Sequence, residues 1–349
     1  MSEAFEQKVL RNVIFLEARA KGIQEELISE LLIVFRRLME EIKSTDDFDS
    51  RSRAVRISEE IRRTLGAVYD SWGQSLTEEV QKAVEVTFAG EHKVLIKEFQ
   101  IDEQDFFQLP LPALSAIVES PVAGGLISTW ASKLSDKQSS AIKKSLIQSV
   151  SEGLGSEEAA KRLREDGALL LTRREADIIA RTSMLQSANR VRAQMLDSYK
   201  KYIPSYRYVA TLDSRTCVIC APYDGMTKKK RRNLPDVPRH PRCRCTVVAW
   251  DKEEIDPEAT RPSVIHESQV VKHRDGSTST RFKVRSASPV HISTTYSEWF
   301  KSQPKSFQKR VLGAGRFKLY ESGKLQLKDF ATPKRIKTVK ELQEAVEEE

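Results

Sequence analysis

All four cysteines of this 349-residue chain lie between Cys217 and Cys245. No other feature limits the fold as tightly, because thiols so close in sequence must also meet in space. Their pattern is Cys217-x2-Cys220, then 22 residues, then Cys243-x-Cys245, with His240 in the sense His-x-x-Cys before Cys243. A secreted scaffold would spread its cysteines to staple distant parts, so the clustering favours a metal site in a reducing compartment. Zinc takes four tetrahedral nitrogen or sulfur ligands, and a Cys-x-x-Cys knuckle seats two thiolates on one ion at ~2.3 Å. Five donors compete for four places: Cys217, Cys220, His240, Cys243 and Cys245. Pro241 stiffens the turn between His240 and Cys243, and Cys245 is the competitor. Disulfides within the cluster, such as Cys217 with Cys243, and metal-free buried thiols stay open as alternatives. A redox Cys-x-x-Cys normally opens a helix after a strand, and Pro222 argues against that. A catalytic zinc needs an open position and a nearby base, for which Asp213, Asp224 and Asp236 qualify only by proximity.

The cluster sits between two predicted strands. Tyr206, Tyr208, Ala210 and Leu212 alternate with other residues at period two, and Thr246–Trp250 forms a second β-rich run. The loop between them exceeds ~30 residues, which is unusual without something to hold it. It also carries the run Lys228-Lys229-Lys230-Arg231-Arg232.

Helical periodicity dominates the first half. Apolar residues recur by threes and fours at Val9, Val13, Leu16, Ala20, Ile23, Leu27, Leu31, Val34, Leu38 and Ile42. This predicts one long amphipathic helix, with a stripe that also fits a coiled-coil seam for self-association and with a break or kink expected near Gly22. The polar, acidic Ser44–Asp49 stretch reads as a connection. Two more helices are expected over 51–72 and 76–99, ending before Leu109-Pro110-Leu111-Pro112. After Gly124-Gly125 another series holds Ile127, Trp130, Leu134, Ile142 and Leu146. Ser156 is expected to cap a short helix with Glu157 and Glu158 in its first turn. Thr172 and Glu175 have capping-box spacing for a helix reaching about Tyr199, whose outer face carries Arg181, Arg190 and Arg192 as solvated charges. Past Trp250, Asp275-Gly276 is expected to turn 270–273 back onto 280–284. The basic segment from Tyr296 to about Leu342 is studded with aromatics, and the Glu347–Glu349 end is expected to fray.

Composition bears on class more than on site. The length allows about two or three domains. At 39% hydrophobic and 7% aromatic residues, the chain suits solvated helices better than one large enzyme core. The net charge of +8 is local: −4 over residues 1–200, +8 over 201–250, −1 over 251–300 and +5 over 301–349. Two basic blocks behind an acidic helical half point to discrete contact surfaces. No apolar run approaches the ~18–20 residues of a membrane span, and charges interrupt residues 1–22, so a soluble product of a cytosol is expected. Phosphate loops, G-x-G-x-x-G, H-E-x-x-H and G-x-S-x-G are absent. His92, His266, His273 and His291 are scattered and read as surface or packing residues. The expectation is an α+β chain: a long-helix region over 1–120, a small α+β domain with a Cys/His-clamped loop over 121–250, and a hairpin with a basic extension over 251–349.

Taken in order, Ile179-Ala180-Arg181-Thr182-Ser183, Ala188-Asn189, Ala210-Thr211-Leu212-Asp213-Ser214-Arg215-Thr216-Cys217-Val218-Ile219-Cys220, Asp224-Gly225 and His240-Pro241-Arg242-Cys243-Arg244-Cys245-Thr246 form a pattern. It closely resembles the phage head morphogenesis domain of Mu F-like minor head proteins, over about residues 125–250. Tyr296-Ser297-Glu298-Trp299-Phe300, Leu312-Gly313 and Ser322-Gly323-Lys324-Leu325 look like the extension of many phage members, whereas residues 1–120 match only in being helical. The resemblance implies a structural minor capsid protein without catalysis. Such a protein is made in the host bacterial cytoplasm, built in few copies into the procapsid through the portal protein, placed among scaffold and major capsid proteins, and in contact with packaged DNA, with which it can leave. Lys228–Arg232 is more charged than that family's loop, so DNA contact there is this sequence's own suggestion. A solvated loop, or a contact with acidic protein in the capsid lattice, is the plainer account of the run.

Two other classes compete. An intracellular zinc-module nucleic-acid-binding protein, dimerised by its helices, would need base-reading side chains near the basic run, where Tyr223 is the one nearby aromatic. A metal-dependent hydrolase using His240 would need paired acids that the chain lacks.

Overall fold

The computed structural model describes residues 4–44, 50–168, 171–251, 257–272, 278–332 and 335–347, with the backbone alone described for 265–272 and 278–287. The predicted first stripe forms α1 (Phe5–Lys43), which runs through Gly22 as one helix. Its apolar face is consumed inside the same chain, against α2 (Arg51–Glu98) and α6 (Arg173–Ser198). The stripe is therefore an intramolecular core face, so it offers no seam to a partner. The helix boundary expected after Trp72 does not exist, because Tyr69, Trp72, Leu76, Val80 and Ala83 continue one buried stripe. A Cβ on Gly73 would lie 3.2 Å from that of Ala131, so the glycine serves close approach to α4 (Ile127–Ser151).

The proline pair likewise starts a helix: Pro110 precedes α3 (Leu111–Val118), and Pro112 sits in its first turn, where a missing N–H costs nothing. Gly155, one residue before the expected Ser156, is the cap residue of α5 (Ser156–Glu165), which keeps Glu157 and Glu158 in its first turn. The main core joins α1, α2, α4, α5 and α6 and crosses residue 120 without interruption.

The expected capping box at Thr172 does not form. The Thr172 hydroxyl is drawn instead to the buried Tyr69 hydroxyl at 2.5 Å, and Glu175 pairs with Lys137. The three α6 arginines expected to be solvated are all engaged. Arg181 bonds Asp177 and Glu17, and Arg190 donates to the Pro121 carbonyl at 2.9 Å. Arg192, 1% exposed, is locked onto the fully buried Glu91 at 2.5 and 2.6 Å.

After α6 the chain forms a three-stranded antiparallel sheet of order β2-β1-β3: β1 (Ser205–Val209), β2 (Thr227–Lys228) and β3 (Thr246–Trp250). β1 pairs with β3 over its full length, Ser205 opposite Trp250 through Val209 opposite Thr246. The sheet shares a second core with Phe5, Val9 and Leu10 of α1, Leu95 of α2, Met195 and Leu196 of α6, and Tyr199 just after it. His92 packs between the Phe88 and Tyr199 rings.

The hairpin is longer than its sequence signal: β4 (Thr260–Lys272) pairs with β5 (Thr278–His291), including Val270 opposite Thr280. The expected Asp275-Gly276 turn and His273 lie outside the described residues, as do the His266 side chain, most of the Ser44–Asp49 connection and Glu348-Glu349. Beyond it, α7 (Tyr296–Ser302), α8 (Lys305–Leu312), α9 (Ala314–Glu321) and α10 (Val339–Glu347) gather Trp299, Phe300, Phe307 and Phe330 into a third core. A capping box does occur here, between Thr295 and Glu298 at the start of α7. Among the described residues, no helix is long and apolar enough to cross a membrane.

Candidate metal centre

Pairing of β1 with β3 brings together the two ends of the 210–245 segment, and the cysteines cluster at that closure. Cys217 Sγ lies 3.0 Å and Cys220 Sγ 3.4 Å from His240 Nε2, and Cys220 Sγ lies 3.9 Å from Cys243 Sγ. Donors bound tetrahedrally at ~2.0–2.3 Å stand roughly 3.3–3.8 Å apart, so these separations suit a shared ion. The five candidates form two triads, Cys217/Cys220/His240 and Cys220/Cys243/Cys245, which share Cys220. All four thiols are free of disulfides.

The electrostatics fit a cation. The Cys220 thiol, with His240 beside it, holds Cys217 down to about 4. Hydrogen bonds from Cys220 and Cys245 hold Cys243 down to about 2. The same neighbours push Cys220 far up, and Cys245, despite a hydrogen bond from Cys220, is raised well above its usual value by Cys243 and burial. Hydrogen bonding to Cys217 raises His240 to about 9. Without a metal, then, some thiols ionise only by forcing their neighbours to stay protonated. A divalent cation would let the donors deprotonate together, and the cluster can hold one.

Helix α6 sets the register of the turn that carries His240, Cys243 and Cys245. Thr182 Oγ1 accepts from the Arg242 backbone N–H at 3.1 Å, and Asn189 Nδ2 donates to the Cys245 carbonyl at 3.1 Å. Thr182 and Asn189 have the spacing seven that places them along one helix face. Their contacts across 56 and 60 positions left no periodic signal in the sequence.

Asp213 and Asp224, near the cluster, are fully committed elsewhere. Asp213 makes a two-pronged ion pair with Arg244 and accepts from the Arg215 N–H at 2.8 Å. Burial pushes its carboxyl up, but Arg244 outweighs burial and leaves it below the usual range. Asp224 accepts from the backbone N–H groups of Ala210 at 2.7 Å and Tyr296 at 2.6 Å, and pairs with the fully buried Arg261. Arg181, Arg215 and Arg244 converge on one buried carboxylate of α1, Glu17.

Gly225, next in line, has φ +85°, and a Cβ there would stand 2.8 Å from Thr295 Cγ2. Gly225→Ala therefore combines left-handed strain with a clash and should cost about 1–3 kcal/mol, read as a lower urea midpoint with unchanged slope. An unchanged midpoint would show that the loop relaxes freely.

The basic run is more ordered than a bare loop. Lys228 lies in β2 opposite Tyr206, and Arg231 pairs with Asp197 of α6 at 2.5 and 2.9 Å. Lys229, Lys230, Arg231 and Arg232 line a cleft of about 520 Å³ with Lys200, Tyr206 and Asp197. Lys200, at the end of α6, joins the patch only through the fold.

Residues 140–248 match the family model described as phage Mu protein F like protein. That segment is similar to the Mu F-like family. The match starts within α4 and ends in β3, so it contains every cysteine, His240 and the α6 contacts that register them. No curated protein and no solved structure matches the chain. The Mu F-like match covers less than a third of the chain and supports a phage head morphogenesis role, with other head components as partners. Glu17, which receives three arginines of the Mu F-like segment, lies outside the match.

Proposed function

We propose that this chain is a minor capsid protein held inside the phage head at the portal, touching packaged DNA and leaving with it on ejection. The Mu F-like match carries this reading, and the placement of charge supports it. In this account residues 1–120 contribute contacts to portal or neighbouring head proteins, residues 121–250 carry the clamp, and residues 251–349 add a basic extension. Zinc is the metal that best suits the donor set, bound structurally by four of Cys217, Cys220, His240, Cys243 and Cys245.

The cleft of Lys200, Lys229, Lys230, Arg231 and Arg232 is the DNA surface in this account, with exposed Lys228 at its edge. Arg231 is shared with Asp197, so Lys229, Lys230 and Arg232 carry most of the phosphate contact. Binding to duplex DNA should weaken with salt. Replacing Lys229, Lys230 and Arg232 together by alanine should reduce the log–log salt slope by about 2–3. Binding indifferent to salt would remove the DNA contact, and an unchanged slope in the triple variant would move it elsewhere. Retention of the chain by portal-containing immature heads, and its loss from emptied ones, tests the remainder. The nucleic-acid regulator alternative needs a free aromatic base reader, and Tyr223 lies under the Arg239 guanidinium at 4.6 Å.

A further inference from the structure

The 210–245 segment has a second side. Its cysteine sulfurs gather at the cluster, while apolar residues beside them pack on the C-terminal extension. Val218, inside the Cys217-x2-Cys220 knuckle, and Ala221, next to Cys220, are both buried. With Leu212 they belong to the third core, beside Tyr296, Trp299 and Phe300 of α7. Polar bonds follow the same path. Asp224 accepts from the Tyr296 backbone N–H at the start of α7 at 2.6 Å, and Tyr296 Oη donates to the Asp213 carbonyl at 3.3 Å. The stretch 212–224, which carries two of the candidate donors, is therefore also the floor on which α7 rests. Helices α7 to α10 have nine residues or fewer, and helices below ~12–15 residues do not persist in water without packing partners.

We propose that this loop is a latch: metal in the cluster keeps α7 and the basic extension behind it docked, and loss of the metal lets them swing away. When the Cys217-x2-Cys220 knuckle opens, Val218, Ala221 and Asp224 move with it, and α7 loses both its apolar floor and the acceptor at its first turn. The hinge is 292–293. Arg207 of β1 donates to the carbonyls of Ile292 at 3.1 Å and Ser293 at 3.3 Å, and it pairs with the buried Glu6 of α1, so this attachment does not pass through the knuckle. The latch sets whether the net +5 of residues 301–349 is carried by a fixed surface or by a tethered arm. Linkage is reciprocal, so docking of α7 tightens the metal site by the same factor that metal tightens the dock. The latch rests on the reading of the cluster as a metal centre, and its test separates the two.

Hydrogen exchange of the full chain tests it, before and after a zinc chelator and again once zinc is returned, with elemental analysis of each sample. Chelation should speed exchange about tenfold or more over 216–226 and α7 together, and zinc should restore both. Helices α2 and α4, whose core lies apart from the third one, should keep their protection. Phe300→Ala, which weakens the dock from the α7 side and touches no donor, should give up its metal at about tenfold lower chelator concentration. Protein that holds no metal when made in a reducing host overturns the metal centre and the latch with it. Protein that loses its metal while α7 stays protected overturns the latch alone. So does loss of protection in α2 and α4 at the same step, and so does Phe300→Ala protein that retains metal as the wild type does.

Discussion

Cys220→Ser is expected to abolish metal retention and to loosen the whole 205–250 segment, more than loss of any other donor. Cys220 belongs to both triads, and it stands within 3.4 Å of His240 Nε2 and 3.9 Å of Cys243 Sγ. Its removal leaves neither triad with three donors. Cys245→Ser should be milder, because Cys217, Cys220, His240 and Cys243 remain as a full tetrahedral set. Structural zinc supplies folding free energy on the order of 10 kcal/mol in small modules that have no other core. Here β1 and β3 remain paired and packed on α1 and α6, so the loss should appear as local opening more than as global unfolding. Elemental analysis of protein made in a reducing host, together with hydrogen exchange over 205–250, reads both effects. Cys220→Ser protein with wild-type metal content and wild-type protection would sink the clamp.

The clustering of the five donors was legible in the sequence because ligand spacing is a local property: Cys-x-x-Cys and His-x-x-Cys-x-Cys place their donors before any tertiary contact is known. The same holds for α1, whose period follows from burial on one face, whereas β1 and β3 were legible by their β-rich composition and are buried on both faces. What stayed hidden was partnership across long separations. The α1 stripe looked like a seam for a second chain, since a period of three and four does not say whether the partner is another molecule or α2 and α6. Arg192 looked solvated because its acid, Glu91, lies 101 positions away, and the tie of Arg181 to Glu17 spans 164 positions beyond its local pair with Asp177. Thr172 and Glu175 had the right spacing for a capping box, yet the Tyr69 hydroxyl and Lys137 took their side chains. Thr295 and Glu298 had the same spacing and no such competitors, and there the box formed. The Mu F-like motif residues Thr182 and Asn189 were recognisable as a pattern, but only the fold shows that they hold the backbone of Arg242 and Cys245.

Arg192→Met should be the most destabilising single change in the helical half. The guanidinium bonds both oxygens of Glu91, Asn189 Oδ1 at 2.6 Å and Thr246 Oγ1 at 2.7 Å, so one side chain ties α6 to α2 and to the first residue of β3. Glu91 also accepts from Asn12 of α1 at 2.8 Å. Removing the arginine strands a carboxylate that water cannot reach, which typically costs about 3–5 kcal/mol. Glu91→Gln should cost a comparable amount by stranding the arginine. The two losses should not add, because each single change already breaks the same pair, and Glu91→Gln with Arg192→Met removes both charges. Urea unfolding of the two single variants and the double variant gives the cycle. A double variant no more stable than the sum of the singles would show that the pair acts as two independent contacts. A coupling of about 2 kcal/mol or more would establish it as one unit joining three elements of the fold. Because Asn189 also donates to the Cys245 carbonyl, Arg192→Met should in addition lower hydrogen-exchange protection at 243–246, even with the metal ligands intact.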